Sequence, residues 1–325
     1  MTVLFAGSAP DELGGAAQED TSTTHRDPDF VPVGSKFEGM FVNMGVGFNV
    51  VTPGVSGEYW YHARFRTHSV MNPGNSRVDG HMIEFFDQNG AFICSIDFLN
   101  GEMRLLDELG NTAPVTFLTP DTEYTLDISL DLSGGTYTFK YFLGGTLQQS
   151  LSWSSSLTFP KTAIFDFFDS FNLSGITSTW YCSEVIVTQD ESTIGWRLAS
   201  ITPAADGFHT DWQGDFTGVE TLGDGKGISS GTVGDKQSWT FATLPAGVSG
   251  SAAVRGVFQN MFASTGLAGP PQIAPFTRVS GTDYDETAFT PSGIDIVEFA
   301  GNPATSAPWT AAELANLEVG VKASS

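Results

Sequence analysis

Residues 124–132 read Tyr124-Thr125-Leu126-Asp127-Ile128-Ser129-Leu130-Asp131-Leu132. Large apolar side chains alternate strictly with small or acidic ones. Side chains on a strand point to opposite faces in turn, so this is a β-strand with one face in a core and one outside. Ser133-Gly134-Gly135 is a turn, and Tyr137, Phe139, Tyr141 and Leu143 continue the same alternation. Gly144-Gly145 turns the chain again into Leu147 to Trp153, which completes a three-stranded antiparallel meander.

Upstream, Gln88-Asn89-Gly90 separates Ile83-Glu84-Phe85-Phe86 from Phe92 to Phe98, and Gly110-Asn111 marks another turn. Asn-Gly is a strong hairpin signal because both residues tolerate φ > 0. Strands at this spacing, without a long helical pattern, predict a two-sheet sandwich over residues 36–194. Thr188 to Thr193 is a polar break, and a second β-rich domain is expected over 195–325. Its strands are expected at Trp196 to Ile201, Gln237 to Phe241, Ala252 to Phe262, Ile294 to Phe299 and Val319 to Val321. Ala311 to Leu317 is the single helical patch, with Thr310 and Glu313 spaced as a capping box. The fold class is therefore all-β: two antiparallel, jelly-roll-like sandwiches in tandem behind an N-terminal arm.

That arm, residues 1–35, carries Asp11, Glu12, Glu19, Asp20, Asp27 and Asp29 against one basic residue, Arg26. Beyond Val3-Leu4-Phe5 it lacks hydrophobic periodicity and by itself would be a disordered tail. The expectation is that Val3, Leu4, Phe5 and Arg26 anchor it on a partner or sister subunit.

The 325 residues include 14 Lys+Arg and 37 Asp+Glu, a formal net charge of −23. So acidic a chain is a poor ligand for nucleic acid, which requires clustered cations, and is repelled by anionic membranes. With 40% hydrophobic residues it has ample material for a core. Val3 to Ala6 is too short for a signal-peptide core and nothing precedes it that is basic, so synthesis and folding in a cytoplasm are expected. Both cysteines, Cys94 and Cys182, sit in apolar strand-like runs and read as buried thiols.

Catalytic constellations are sparse. Gly227-Ile228-Ser229-Ser230-Gly231 matches G-x-S-x-G, but its flanks are loop-like where a nucleophile elbow needs a strand before and a helix after. A glycosidase needs two carboxylates flanking the bond; Glu84 and Asp87 point to opposite faces of a strand, and a turn separates Asp97 from Glu102. The five histidines form no close pair. Asp166 and Asp169, near Asn172, are weak candidates for Ca²⁺ oxygen ligands, with plain solvated loops as the alternative; no other cofactor is indicated.

One stripe stands out. Tyr59, Tyr61, Ala63, Phe65 and Thr67 share one strand face, and Trp60, His62, Arg64, Arg66 and His68 the other. Guanidinium groups beside a Trp suit an acidic partner or a glycan. They equally suit a solvated outer face, or arginines paired with acids on the next strand.

Two longer strings carry a resemblance. Thr136 to Leu147, followed by Trp180-Tyr181-Cys182-Ser183-Glu184-Val185-Ile186-Val187, resembles the late strands of a concanavalin-like (laminin-G-like) jelly roll. Leu4-Phe5-Ala6-Gly7-Ser8, the join from Ser183–Val187 to Gly195-Trp196-Arg197-Leu198-Ala199, and the ending Trp309 to Leu314 through Leu317 to Val321 resemble structural proteins of long-tailed bacteriophages and prophages. The resemblance implies a non-enzymatic virion component, a tail-fibre or baseplate appendage assembled in the bacterial cytoplasm, homotrimeric, held by its arm to other virion proteins and able to meet a host surface glycan. It brings no catalytic set. The alternatives are a head fibre or capsid decoration protein, a free carbohydrate-binding module using Trp60, Arg64 and Arg66, and, with less in its favour, a glycan-cleaving enzyme.

Overall fold

The computed structural model describes residues 2–7, 17–19, 41–43, 48–67, 79–99, 102–119, 122–132, 135–165, 181–219, 226–241, 243–249, 254–264, 272–291 and 293–324. They divide into a first unit ending at Leu198 and a second beginning at Ala199. Arg26, His68, Asp166, Asp169 and Asn172 lie outside the described residues.

The first unit holds β1 (Thr2–Gly7), β2 (Ala17–Glu19), β3 (Phe41–Asn43), β4 (Phe48–Val51), β5 (Glu58–Arg66), β6 (Asp79–Asp87) and β7 (Phe92–Leu99). It continues through β8 (Glu102–Asp107), β9 (Thr116–Phe117), β10 (Glu123–Asp131), β11 (Thr136–Leu143), β12 (Thr146–Ser154), β13 (Pro160–Phe165) and β14 (Tyr181–Gln189). One eight-stranded sheet runs β12-β11-β10-β5-β14-β3-β2, with β1 also on β14; a six-stranded sheet runs β4-β13-β6-β7-β8-β9. Every pairing is antiparallel, so the expected meander is β10-β11-β12. The fold is the all-β sandwich that the alternation predicts.

The inner faces meet in one core. Leu126, Ile128, Leu130, Phe139, Tyr141, Tyr59, Tyr61, Ala63 and Phe65 come from one sheet; Ile83, Phe85, Ile96, Leu105 and Phe165 from the other. Phe85 meets Tyr61 edge-on at 4.8 Å and Phe139 at 5.5 Å, bridging the two layers. Fully burying each such ring contributes about 1.5–3 kcal/mol. Cys94 is buried and reduced among them.

The two hairpin turns use one device. Asp87 accepts from the backbone N–H of Asn89 (2.7 Å) and Ala91 (2.9 Å), and Asp107 from Leu109 (2.9 Å) and Asn111 (2.8 Å). Gly90 and Gly110 take φ of 75° and 80°, while Asn89 stays on the negative side. The turn falls at Gln88-Asn89-Gly90 as expected, a three-residue loop closed by one left-handed glycine, with the φ > 0 tolerance of Asn89 unused.

The N-terminus departs from expectation. Thr2–Gly7 is no free anchor: β1 lies antiparallel on β14, with Phe5 opposite Val187 and Ala6 opposite Ile186. Leu4 and Phe5 pack on the core and Ala6 is buried. Val3, Leu4 and Phe5 therefore complete a sheet of their own chain. Their alternation is too short to register as a strand, because only the partner strand makes it one.

The second unit holds β15 (Pro203–Thr210), β16 (Lys236–Phe241), β17 (Val257–Ala263), β18 (Gln272–Val279), β19 (Thr282–Asp285), β20 (Gly293–Phe299) and β21 (Glu318–Ser324), with short helices α1 (Ala246–Ser249) and α2 (Ala311–Leu314). A five-stranded sheet, β15-β16-β21-β18-β19, shares a core of Phe299, Trp309, Leu317 and Val319 with the ribbon β17-β20. Thr310 and Glu313 form the expected capping box. Trp196 to Ile201 is not a strand, because its polar groups bind elsewhere, as described below. Gln272–Val279 escapes a sequence reading because Pro275 demotes it; the β19 ladder starts one residue later, at Phe276 opposite Asp285.

Removing residues 1–7 is expected to destabilise the first unit by about 2 kcal/mol or more, read as a lower denaturation midpoint of its transition. An unchanged midpoint would return the segment to the role of a free arm.

Candidate functional site

The stripe on β5 is placed as a buried layer. Tyr59, Tyr61, Ala63 and Phe65 face the core, as their alternation predicts. On the other face Trp60, His62, Arg64 and Arg66 are also buried, at 8%, 0%, 5% and 8% exposure. Of the readings open from sequence, the structure has the arginine paired with acids. Arg64 Nε binds Glu123 on the neighbouring strand, and its guanidinium lies 3.8 Å from Glu184. Trp60 stacks on Phe142 with centroids 5.6 Å apart. These side chains are not an open contact surface.

The chain at the end of β14 and just beyond it is bonded to this face. Glu184 is an extra residue in that strand, between Ser183 opposite Arg64 and Val185 opposite Ala63. It takes φ of 50°, a left-handed conformation costly for a residue with a Cβ. The bulge turns its carboxylate, in a residue only 3% exposed, to the outer face. There Arg197 grips it with Nε at 3.0 Å from both oxygens and Nη2 at 2.6 Å, and the Leu198 N–H donates at 2.9 Å. Thr188 Oγ1 donates to the Glu191 carbonyl at 2.5 Å, Thr193 Oγ1 to Asp127 at 2.8 Å. Residues 188–198 are thereby tied across the sheet that carries the stripe.

His62, Asp127 and Thr193 gather the residue types of a catalytic triad without its wiring. His62 Nδ1 and Thr193 Oγ1 both meet Asp127 Oδ1, each at 2.8 Å. A triad needs the nucleophile bonded to the imidazole. All three residues are fully buried, and His62 Nε2 and Asp127 Oδ2 have no hydrogen-bond partner among the described residues. The cluster ties residues 188–198 to this face.

The other acids considered from sequence also do structural work. Asp87 closes its turn and accepts from Thr158 Oγ1 at 3.0 Å. Asp97 accepts from Ser95 Oγ at 2.6 Å and lies 3.6 Å from Arg104 Nε. Ser229 exchanges backbone bonds with Gln213, and Ser230 Oγ lies 2.8 Å from Asp235, so the G-x-S-x-G string is a pinned loop. Among the described residues no group of three His, Cys, Asp or Glu side chains is placed to hold a metal ion, and no helix is long and apolar enough to cross a membrane.

A different cluster lies on the outer face of the second unit's sheet. Asp206 pairs with Trp239 and Thr210 with Gln237, so Gly207-Phe208-His209 bulge opposite the single residue Ser238. Side chains catch the bulge: the Phe208 N–H donates to Glu318 Oε2 at 2.8 Å and the His209 N–H to Ser238 Oγ at 3.1 Å. A Cβ on Gly207 would lie 2.4 Å from that Glu318 oxygen and 2.5 Å from Ser238 Oγ, so a larger residue would have to displace the two side chains that hold the bulge. The bulge throws Phe208 outward, 68% exposed, and lays His209 edge-on to Phe276 at 5.7 Å. Phe276 is buried because Gly320 beneath it has no side chain; a Cβ there would meet its ring at 2.5 Å.

Charges ring these aromatics. Asp283 takes His209 Nε2 at 2.8 Å, Lys236 Nζ at 2.8 Å and Arg278 Nη1 at 2.5 Å. Asp285 takes Lys236 at 3.0 Å and Lys322 at 2.6 Å. The Arg278 guanidinium lies 4.0 Å from the Phe208 centroid, and Lys236 Nζ 4.8 Å from that of Phe276. Burial alone would raise the Asp283 carboxyl, but the bonds from Lys236, Arg278 and His209 outweigh it and hold it at about 2. Burial would likewise lower Lys236; its bonds to Asp283 and Asp285 prevail and raise it. The sequence hint was the hairpin Arg278-Val279-Ser280-Gly281-Thr282-Asp283-Tyr284-Asp285, which sets Arg278 directly opposite Asp283.

No protein-family model matches the chain, and no curated protein matches it. Among solved structures it is similar to the receptor-binding domain of botulinum neurotoxin type G, with a TM-score of 0.36 and 8% identity over 59% of this chain and 48% of that one. It is also similar to a sialidase of Trypanosoma rangeli (TM-score 0.32, 10% identity, 46% of this chain and 28% of that one) and to a further sialidase (0.33, 9%, 52% and 19%). The chain spans less than half the length of each of these proteins. At these scores no architecture and no residue role is carried over from them.

A carboxylate held at about 2 stabilises the folded state above the ordinary carboxyl value and loses that contribution as pH falls through about 2. Asp283→Asn is therefore expected to destabilise the second unit by about 1–3 kcal/mol at pH 7. The gap from wild type should close between about pH 4 and pH 2, as read by thermal unfolding across that range.

Proposed function

We propose that this protein is a non-enzymatic structural component of a tailed-phage virion, carried as a tail-fibre or baseplate appendage and assembled in the bacterial cytoplasm as a homotrimer. The observation that carries the reading is where the phage-like strings fall. Leu4 to Gly7 and Val185 to Val187 belong to paired strands, and Glu184 is gripped by Arg197 and Leu198. Two of the three strings that carry the resemblance thus meet at one junction of the fold, which supports a structural role for them.

The non-enzymatic part of the reading is supported by the use to which the polar groups are put. His62, Asp127 and Thr193 are sealed, Asp87 closes a turn, and Asp97 is engaged by Ser95. A catalyst would need such groups open to substrate with nucleophile and base in contact.

The test is mass spectrometry of gradient-purified particles from a host that produces them, with copy number determined against the major capsid protein. The reading expects peptides of this chain in the particle at the low copy number of a tail appendage. Hundreds of copies would move it to the head as a decoration protein, and absence from the particle would end the virion reading.

A further inference from the structure

We propose that the outer face of the second unit's five-stranded sheet, centred on Phe208, is a binding platform for a neutral polysaccharide chain. This goes beyond the virion reading and stands without it.

The bulge is the first observation. A regular β15 would keep Phe208 on the ladder. Instead Gly207, Ser238 and Glu318 together hold a distortion that projects an aromatic ring into solvent. Bulges of this kind re-aim side chains beside functional sites. Phe117 in the first unit is as exposed, at 72% against 68%, so exposure alone does not single Phe208 out; the bulge held by three other residues does.

The second observation is the arrangement around the ring. Arg278 occupies one face of Phe208, and the His209 ring meets it at 5.0 Å. On the same sheet face stand Arg278 over the Phe208 ring, Lys236 over Phe276, and Asp283, Asp285, Lys322 and Glu318 paired with these cations or with the bulge. These groups are fixed by bonds to one another, so little side-chain freedom is lost when a ligand arrives. A pyranose offers the complement: a face of C–H groups to lie on the ring, and hydroxyls around its edge that both donate and accept.

Charge selects among ligands. Lys236, Arg278 and Lys322 are matched by Asp283, Asp285 and Glu318, so the platform has no surplus of either sign. The whole chain, at −23, repels polyanions. A neutral, hydroxyl-rich ligand is the class that this surface neither repels nor leaves unpaired. The elements lie side by side on a sheet face, which suits an extended chain lying across it better than an enclosed small molecule. One exposed ring among charges is a poor match for the apolar centre of a protein interface.

The experiment is saturation-transfer NMR and calorimetry on the full chain with maltohexaose, cellohexaose, chitohexaose and a mannohexaose, and with hexagalacturonate as the acidic probe. At least one neutral probe is expected to bind with the acidic one excluded. Phe208→Ala should weaken that binding about tenfold or more. Phe208→Tyr should retain it, and Leu109→Ala in the first unit should leave it unchanged. Absence of binding to every neutral probe, binding to the acidic probe alone, or equal binding by wild type and Phe208→Ala would each overturn the proposal. Unchanged thermal midpoints of the variants establish that any loss is local.

Discussion

The buried carboxylate of Glu184 is the constraint on which the first unit's outer layer depends. A carboxylate taken out of water is costly unless it is paired and hydrogen-bonded. Here Arg197 supplies the countercharge and Leu198 a backbone donor, both from the chain just past the end of the strand. The left-handed φ of Glu184 is the local cost of turning that carboxylate outward. With the clamp closed, residues 188–198 are tied to the face that carries His62 and Arg64, through Thr193 on Asp127 and Arg197 on Glu184. Without it, the Glu184 carboxylate would lose the countercharge that Arg197 supplies.

This explains which parts of the architecture were legible in the sequence. Tyr124 to Leu132 announces its strand because burial on one face and small or acidic residues on the other coincide with the pleat. Residues 59–67 announce their strand equally well, but not their surroundings. The alternation separates the two faces and cannot show that a later segment is bonded to the second one. Trp196 to Ile201 looked like a strand because it is apolar, whereas Arg197 and Leu198 spend their donors on Glu184. Val3 to Phe5 looked like an arm because its ladder partner lies far along the chain at β14.

The second unit was less readable for a related reason. Its exposed cluster draws on residues 207–209, 236–238, 278, 283–285 and 318–322, which only the sheet register brings together. Gly320 is required by the close approach of the Gln237 carbonyl, and Gly207 leaves room for the Glu318 and Ser238 side chains; neither leaves a periodic trace. Only the Arg278 to Asp283 hairpin pairing was accessible locally. The two units thus use the same chemistry oppositely: arginine, histidine and carboxylate seal a surface in the first, and frame an exposed aromatic ring in the second. The overall charge of −23 conceals both, since in each place the cations are met by acids.

The most direct test is a double-mutant cycle on Glu184→Gln and Arg197→Met, with stability of the first unit measured by denaturant unfolding. The clamp requires each single change to be destabilising and the pair to be coupled by about 1–3 kcal/mol. Effects that add to within about 0.5 kcal/mol would contradict it, and would mean that residues 188–198 are held without the Glu184–Arg197 grip.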